Sequence, residues 1–282
     1  MASTTTTTRP SIEDAEINNE YLSEIYQNLL MEEREQPSFF GYMKRQPEIN
    51  EKMRAMLIDW LIDVHFKFKL KPETLYLTVW LIDRYLSEKT IKYTKLQLLG
   101  VTAMLISCKY EEIYSPEVFD FVYITENTYE KSDIIRLEKE ILSMISFKMT
   151  VPTANAFYEI ISESLAFDKK EYYLGRYLME ILLLDYRSLK YKPSEIAHTV
   201  CFIIFIHKRN NDIIYFSDLA NEFIYNYRNN GMNYKDCARN ISFLLDNIQN
   251  TQLLSVRNKY LTPVCYRVAL IKRIFNIEGR VQ

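Results

Sequence analysis

The feature that most constrains this chain is its scarcity of backbone breakers. It holds 5 Gly and 8 Pro in 282 residues, against roughly 7% Gly and 5% Pro in an average protein. Few breakers mean few tight turns and long uninterrupted elements, which predicts an all-helical fold. The glycines are Gly41, Gly100, Gly175, Gly231 and Gly279, no two of them close together. Phosphate-cradling loops need clustered glycines so that backbone amides can approach the anion, so neither a dinucleotide fingerprint nor a P-loop can be built. The three histidines (His65, His198, His207) lack HExxH spacing, and the four cysteines (Cys108, Cys201, Cys237, Cys265) form no CxxC pair. No metal site or cofactor is expected. No GxSxG elbow occurs either, and the chain reads as a non-enzyme.

At ~150 residues per domain the length suggests two domains. A net charge of -2 argues against a nucleic-acid partner. Scattered cysteines without a secretory signal fit a reducing compartment. The most apolar run, Val200 to Ile206, is far short of the ~20 residues that span a bilayer, so no membrane partner is expected. The opening MASTTTTTRPS has no apolar stretch, and residues 1–15 are expected to be a disordered tail.

Helical periodicity then marks a leading helix, Glu16 to Glu33, within a segment 16–36. Pro37 and Gly41 interrupt it. Asn50 caps Glu51 to Phe68, and Pro72 opens Glu73 to Ser87. Thr94 is expected to cap Lys95 to Glu111, Ser115-Pro116 to open Glu117 to Tyr123, and Ser132 to cap Asp133 to Ile145. Val151-Pro152-Thr153 marks a boundary. A second five follow: Ala154 to Leu165, Lys170 to Asp185, Ser194 to Lys208, Ser217 to Tyr227, and Tyr234 to Ile248. The third helix of each block turns strongly apolar, which suggests an internal duplication. The expected division is a first block over 37–150, a second over 151–250 and an extension over 251–282. That extension is expected to pack on the second block through Val256, Tyr260 and Leu270.

The helix after Asn50 has two apolar arcs. At about 100° per residue, Met53, Met56, Leu57, Trp60, Leu61, Val64 and Phe68 share one arc, and Ala55, Ile58, Ile62 and Phe66 the other. Arg54 and His65 divide them on one side, Asp59 and Asp63 on the other. A surface helix has one stripe. Either this helix is wrapped completely, or part of one arc stays open as a partner groove.

MRAMLIDWL (Met53 to Leu61) resembles the signature helix of the cyclins. GYMKRQPEIN (Gly41 to Asn50), ETLYLTVWLIDRYL (Glu73 to Leu86), KLQLLGVTAMLISCKYEEIYSPEV (Lys95 to Val118) and FVYITENTYEKSDIIRLEKEIL (Phe121 to Leu142) are similar to the rest of a first cyclin box. LLLDYRSLKYKPSEIA (Leu182 to Ala197) and VRNKYLTPVCYRVA (Val256 to Ala269) are most like B-type mitotic cyclins. The resemblance implies two tandem five-helix boxes behind an N-terminal helix. It also implies a regulatory subunit that binds and activates a cyclin-dependent kinase in G2/M control, in nucleus and cytoplasm, although no basic cluster marks a nuclear signal.

The resemblance assigns Lys109 and Glu138 to the kinase face, with Ile106, Phe147 and Met149 as an apolar pocket and Tyr21 and Ile25 as a second contact strip. The plain alternatives are a solvated ion pair worth at most ~1 kcal/mol and ordinary core packing. It assigns Met53, Leu57 and Trp60, flanked by Asp63 and Gln97, to a groove for Arg-x-Leu substrate or inhibitor peptides. Asp63 stands where A-type cyclins carry Glu, which implies a shorter reach to the arginine. Arg54 and Asp83 match an internal structural ion pair. The family's RxxL destruction motif is matched only nominally, by Arg54 to Leu57 inside a helix; Arg9-Pro10-Ser11-Ile12 lacks the leucine. A cyclin-box interaction module, as in transcription factor IIB relatives, and a transcriptional cyclin are the alternatives. The first usually carries a zinc ribbon and a basic surface, and the second diverges most in the second box.

Overall fold

The structure, a computed structural model, describes residues 12–209, 232–248 and 251–271. Its α-helices are α1 (Ile12–Glu35), α2 (Glu51–Phe68), α3 (Pro72–Glu88), α4 (Leu96–Glu111), α5 (Val118–Ile124), α6 (Lys131–Met144), α7 (Ala154–Ser164), α8 (Lys169–Leu184), α9 (Pro193–Arg209), α10 (Met232–Asn247) and α11 (Ser255–Tyr260). No strand occurs among the described residues. The expected helix Ser217 to Tyr227 lies outside them.

Local chemistry accounts for most of the boundaries. The Asn50 side chain accepts the Met53 amide at 3.0 Å, and Lys69 closes α2 in the left-handed region. Pro72 occupies the first turn of α3. At α8, the Asp168 carboxylate takes the Glu171 amide and the Glu171 carboxylate takes the Asp168 amide, each at 2.8 Å. Two expected caps fall elsewhere. Thr94 lies inside a 3₁₀ turn, Tyr93–Lys95, that runs straight into α4, and its carbonyl accepts the Tyr129 hydroxyl at 2.8 Å. Ser132 is already inside α6. Glu130 stands at the cap, because the Asp133 carboxylate can reach back to the Glu130 amide at 3.2 Å.

Each half is built round a helix that is apolar on nearly every side. In the first, α4 packs against α2, α3, α5 and α6; in the second, α9 packs against α7, α8 and α10. The two arcs of α2 divide between the two cores. Leu57, Leu61 and Val64 enter the first core; Ile58 and Ile62 enter the second, beside Leu75, Tyr76 and Val79 of α3. Met56 and Phe66 stay exposed. The helix is thus a shared wall, its apolar arcs open only at Met56 on the rim of the first and at Phe66 near the end of the second.

Two glycines mark close approaches. A Cβ on Gly100 would meet Leu57 Cδ1 at 2.8 Å, so α4 and α2 touch almost backbone to side chain. A Cβ on Gly175 would collide with the Tyr158 ring. The tail packs through Val256 and Tyr260 of α11, but Leu270 beyond it is 61% exposed. Left-handed Tyr266 and Arg267 turn the chain into a 3₁₀ turn, Val268–Leu270, that buries Val268 and Ala269 and rotates Leu270 outward.

A fully buried ion pair joins the halves. Arg54 holds Asp83 through two hydrogen bonds of 2.7 Å, and its remaining Nη1 donates to the Leu183 carbonyl of α8 at 3.0 Å. The Tyr42 hydroxyl donates to Asp83 Oδ1 at 2.8 Å. Burial opposes the charge on Arg54, but the Asp83 carboxylate outweighs it and the guanidinium pKa is raised.

Three outcomes follow from this packing. Arg54→Ala leaves the buried Asp83 carboxylate without its cation, held only by the Tyr42 hydroxyl, and the Leu183 carbonyl without its donor, and should lower unfolding free energy by about 3–5 kcal/mol in urea titration. Gly175→Ala forces Tyr158 aside and should cost about 1–3 kcal/mol in the same measurement. Burial also holds the imidazoles of His65 and His198 down at about 4, whereas an unfolded histidine takes its proton near ~6.5. The stability tied to their neutrality is complete above ~6.5 and is lost as pH falls from there towards 4. Glu33 and Glu73, raised by burial, act in the opposite sense. Unfolding free energy should therefore fall between about pH 7 and 5, by up to ~1.4 kcal/mol per pH unit for each histidine, and the melting temperature with it. His65→Gln should flatten that slope, and an unchanged slope would contradict the assignment.

Candidate functional site

The first surface lies where α4, α6 and the segment after α6 converge. Lys109, in the last turn of α4, reaches Glu138 of α6 at 2.6 Å; the lysine side chain is 47% exposed and the glutamate 13%. With its lysine half exposed, the pair gains little stability. Ile106 and Met149 are buried in the first core, so they support the surface from below rather than line an open pocket. Phe147 is 70% exposed. It follows Ser146 in the left-handed region, at φ 59, and its amide closes α6 on the Leu142 carbonyl at 3.0 Å. A bulky residue held there is uncommon and strained, and the result is an aromatic ring presented to solvent.

Sequence reasoning missed the neighbours of this pair. Tyr110 is exposed, and its hydroxyl lies 2.7 Å from Thr150 Oγ1, next to Met149. Ile113 and Tyr114, directly after α4, are the most exposed large apolar side chains of the described residues. The available signal was the adjacent bulky pair Ile113-Tyr114 inside the segment EEIYSP, where a loop is expected to be polar. On α1, Tyr21 and Ile25 are both exposed.

The second surface is a recess of about 670 Å³ beside α2. Trp60 and Asp63 line it, together with Lys52, Met56, Asp59 and residues 251–253 and 255. Met53 and Gln97 are half-buried and Leu57 is buried, and these three do not line that recess. Asp63 is paired with Lys67 one turn on, at 2.8 Å and 43% exposed, so an incoming cation must compete with that lysine. The far wall comes from beyond the second half. Asp59 accepts the Ser255 amide at 3.0 Å and its hydroxyl at 2.9 Å, which seats α11 against α2. Burial raises the Asp59 pKa, and the Ser255 hydrogen bonds pull it back. Nothing in the spacing of the sequence pairs residues 196 positions apart.

Among the described residues no group of three or more His, Cys, Asp or Glu could hold a metal ion, and no helix is long and apolar enough to cross a membrane.

Helical halves of this order, each wound on a central apolar helix, match a known fold. Residues 24–150 match the family described as Cyclin, N-terminal domain, and residues 152–273 match Cyclin, C-terminal domain. The chain belongs to the cyclin family. Within it, the chain is similar to mitotic cyclins of the B type. It is 39% identical over 256 residues to the G2/mitotic-specific cyclin-B of Hydra vulgaris, covering 90% of this chain and 69% of that protein. It is 46% identical over 179 residues to the G2/mitotic-specific cyclin-B2 of Oryzias latipes, covering 64% of this chain but only 46% of that protein. Among solved structures, a viral cyclin from herpesvirus saimiri superposes with a TM-score of 0.66 at 18% identity, over 82% of this chain and 99% of that chain. That likeness concerns the fold.

If Asp59 and Ser255 hold the wall of the recess, Ser255→Ala should cost about 1–2 kcal/mol of stability. It should also speed hydrogen exchange over residues 251–260 while leaving α4 unchanged.

Proposed function

We propose that the chain is the regulatory subunit of a cyclin-dependent serine/threonine kinase of the mitotic type and carries no catalytic machinery of its own. The observation that carries this is the Lys109–Glu138 pair, with its lysine half exposed, in a region of the chain that also exposes Tyr110, Ile113, Tyr114 and Phe147. A stable monomer has no use for so many solvated apolar side chains around one open ion pair. The ammonium can donate to backbone carbonyls, and the carboxylate can accept amides or a basic side chain, from a docked helix. Active kinases need their regulatory helix turned inward, so that its glutamate meets the active-site lysine, and an ordered activation loop. A partner that binds only the inward position shifts that equilibrium by its differential affinity. The family membership and the B-type relatives support this reading, as does the rigid two-core frame beneath the surface.

We assign the recess beside Trp60 to recruitment of peptides with an Arg-x-Leu pattern. Trp60 and Met56 offer the apolar contact and Asp63 the carboxylate, with Met53, Leu57 and Gln97 expected along the same helix–helix edge. The pairing of Asp63 with Lys67 makes the arginine contact modest. Residence in nucleus and cytoplasm belongs to the same proposal, and imaging of a fluorescent fusion through the cycle checks it.

Lys109→Ala with Glu138→Ala should weaken binding to a mitotic cyclin-dependent kinase at least tenfold in calorimetric titration, and abolish activation of Ser-Pro/Thr-Pro phosphorylation, because truncated interface charges cost about 2–5 kcal/mol. Unchanged affinity would overturn the assigned interface. A wild-type chain that captures no such kinase would favour the interaction-module alternative instead. Trp60→Ala should lower affinity for an Arg-x-Leu peptide about tenfold or more without affecting kinase binding.

A further inference from the structure

Helix α1 presents Tyr21 and Ile25 outward while its other side lies on the second half of the molecule. That side carries two polar anchors two turns apart. Tyr26 donates its hydroxyl to His198 Nε2 at 2.8 Å, and His198 Nδ1 donates to the Ser194 carbonyl at 2.6 Å. A carbonyl can only accept, so the proton sits on Nδ1 and Nε2 is a bare acceptor for the phenol. Seven residues along α1, Glu33 takes the Ser194 amide at 2.7 Å and the Ser194 hydroxyl at 2.6 Å. The amide, hydroxyl and carbonyl of Ser194, in the first turn of α9, are therefore all engaged in one connected set.

Tyr26, Glu33, Ser194 and His198 are all buried. The Tyr26 ring packs edge-on against Phe157 at 5.8 Å and against the His198 ring at 5.9 Å. Burial keeps the His198 pKa at about 4, so the imidazole stays neutral and its acceptor stays available at cellular pH.

The angular arrangement gives this set its meaning. At ~100° per residue, Tyr26 and Glu33 share one line along α1, within about 20° of each other. Ile25 lies about 100° round from that line and Tyr21 about 140°. Leu22, Leu29 and Leu30 also pack on the second core, but apolar contact is non-directional and tolerates sliding and rotation. Hydrogen bonds weaken steeply off-axis. A slip of one residue would turn the exposed strip by ~100° and shift it by ~1.5 Å.

We propose that His198 and Glu33, with Tyr26 and Ser194, are positioning residues for the kinase-contacting strip. They lock the rotation and axial register of α1, so the second half of the molecule contributes to kinase affinity without touching the kinase. This rests on the kinase-subunit reading above.

The test is a cycle between Tyr26→Phe, which removes only the hydroxyl, and Ile25→Ala, read by kinase affinity and by hydrogen exchange. Tyr26→Phe should weaken kinase binding about fivefold, speed exchange over residues 21–35 and leave the melting temperature of the cores nearly unchanged. In the Ile25→Ala background the same change should cost less than twofold, because the strip it positions is already gone. Glu33→Gln, which keeps the shape and one acceptor, should show a smaller effect in the same direction. Unchanged exchange in α1, or full additivity with Ile25→Ala, would overturn the positioning role. If the wild-type chain binds no kinase while Tyr26→Phe still loosens α1, the kinase reading fails and the anchors are structural only. Lys109→Ala, whose effect should add to that of Tyr26→Phe, separates loss of the strip from loss of the first surface.

Discussion

The arrangement of the molecule turns on the buried contact between Arg54 and Asp83. One guanidinium spends two donors on Asp83 of α3 and a third on the Leu183 carbonyl of α8, and the Tyr42 phenol closes the set from the segment ahead of α2. Four pieces of chain are thereby held by groups with strict directional demands and no water to replace them. Such a pair adds little net stability over a well-packed apolar alternative, but breaking it is costly. Its contribution is geometric: α2 can sit between the two cores in one rotation only.

That rotation determines everything presented at the surface. With Ile58 and Ile62 committed to the second core and Leu61 and Val64 to the first, Met56, Trp60 and Asp63 are left along the recess. Further links repeat the theme. Glu73 of α3 accepts Asn155 of α7 at 2.9 Å, and the Tyr186 hydroxyl accepts the Gly41 and Met43 amides at 2.9 and 3.0 Å; on the second half itself, Lys259 ties α11 to Glu180 of α8 at 2.7 and 2.8 Å. The two halves are stitched by part-buried polar contacts as well as by apolar packing.

Legibility differed by type of interaction. Helices were readable because their determinants are local: Asn50 at a cap, Pro72 in a first turn, the period of apolar side chains along α2. Where two local devices competed the reading slipped, as at Ser132, where Asp133 reaching back to Glu130 sets an earlier start. Lys109 and Glu138 are brought together in an ion pair with each other, and Ile106 and Met149 lie in the core, since an apolar residue on a helix carries no mark of which side is covered. The exposure of Leu270 and the Asp59–Ser255 contact depend on how the tail returns to α2, and residues so far apart have no periodicity to betray them.

What the sequence by itself determined is the class of fold: a chain nearly without breakers, with apolar residues at helical spacing, can bury its core only as packed helices, and it has no glycine-rich loop with which to hold a phosphate. What only the tertiary structure decided is allocation, meaning which arc of α2 faces which core, which charges are locked and which stay open, and which strip of α1 looks outward. The physical reason is that helix formation is governed by neighbours three and four residues apart, whereas burial and pairing are settled by side chains that meet only after the chain has closed on itself.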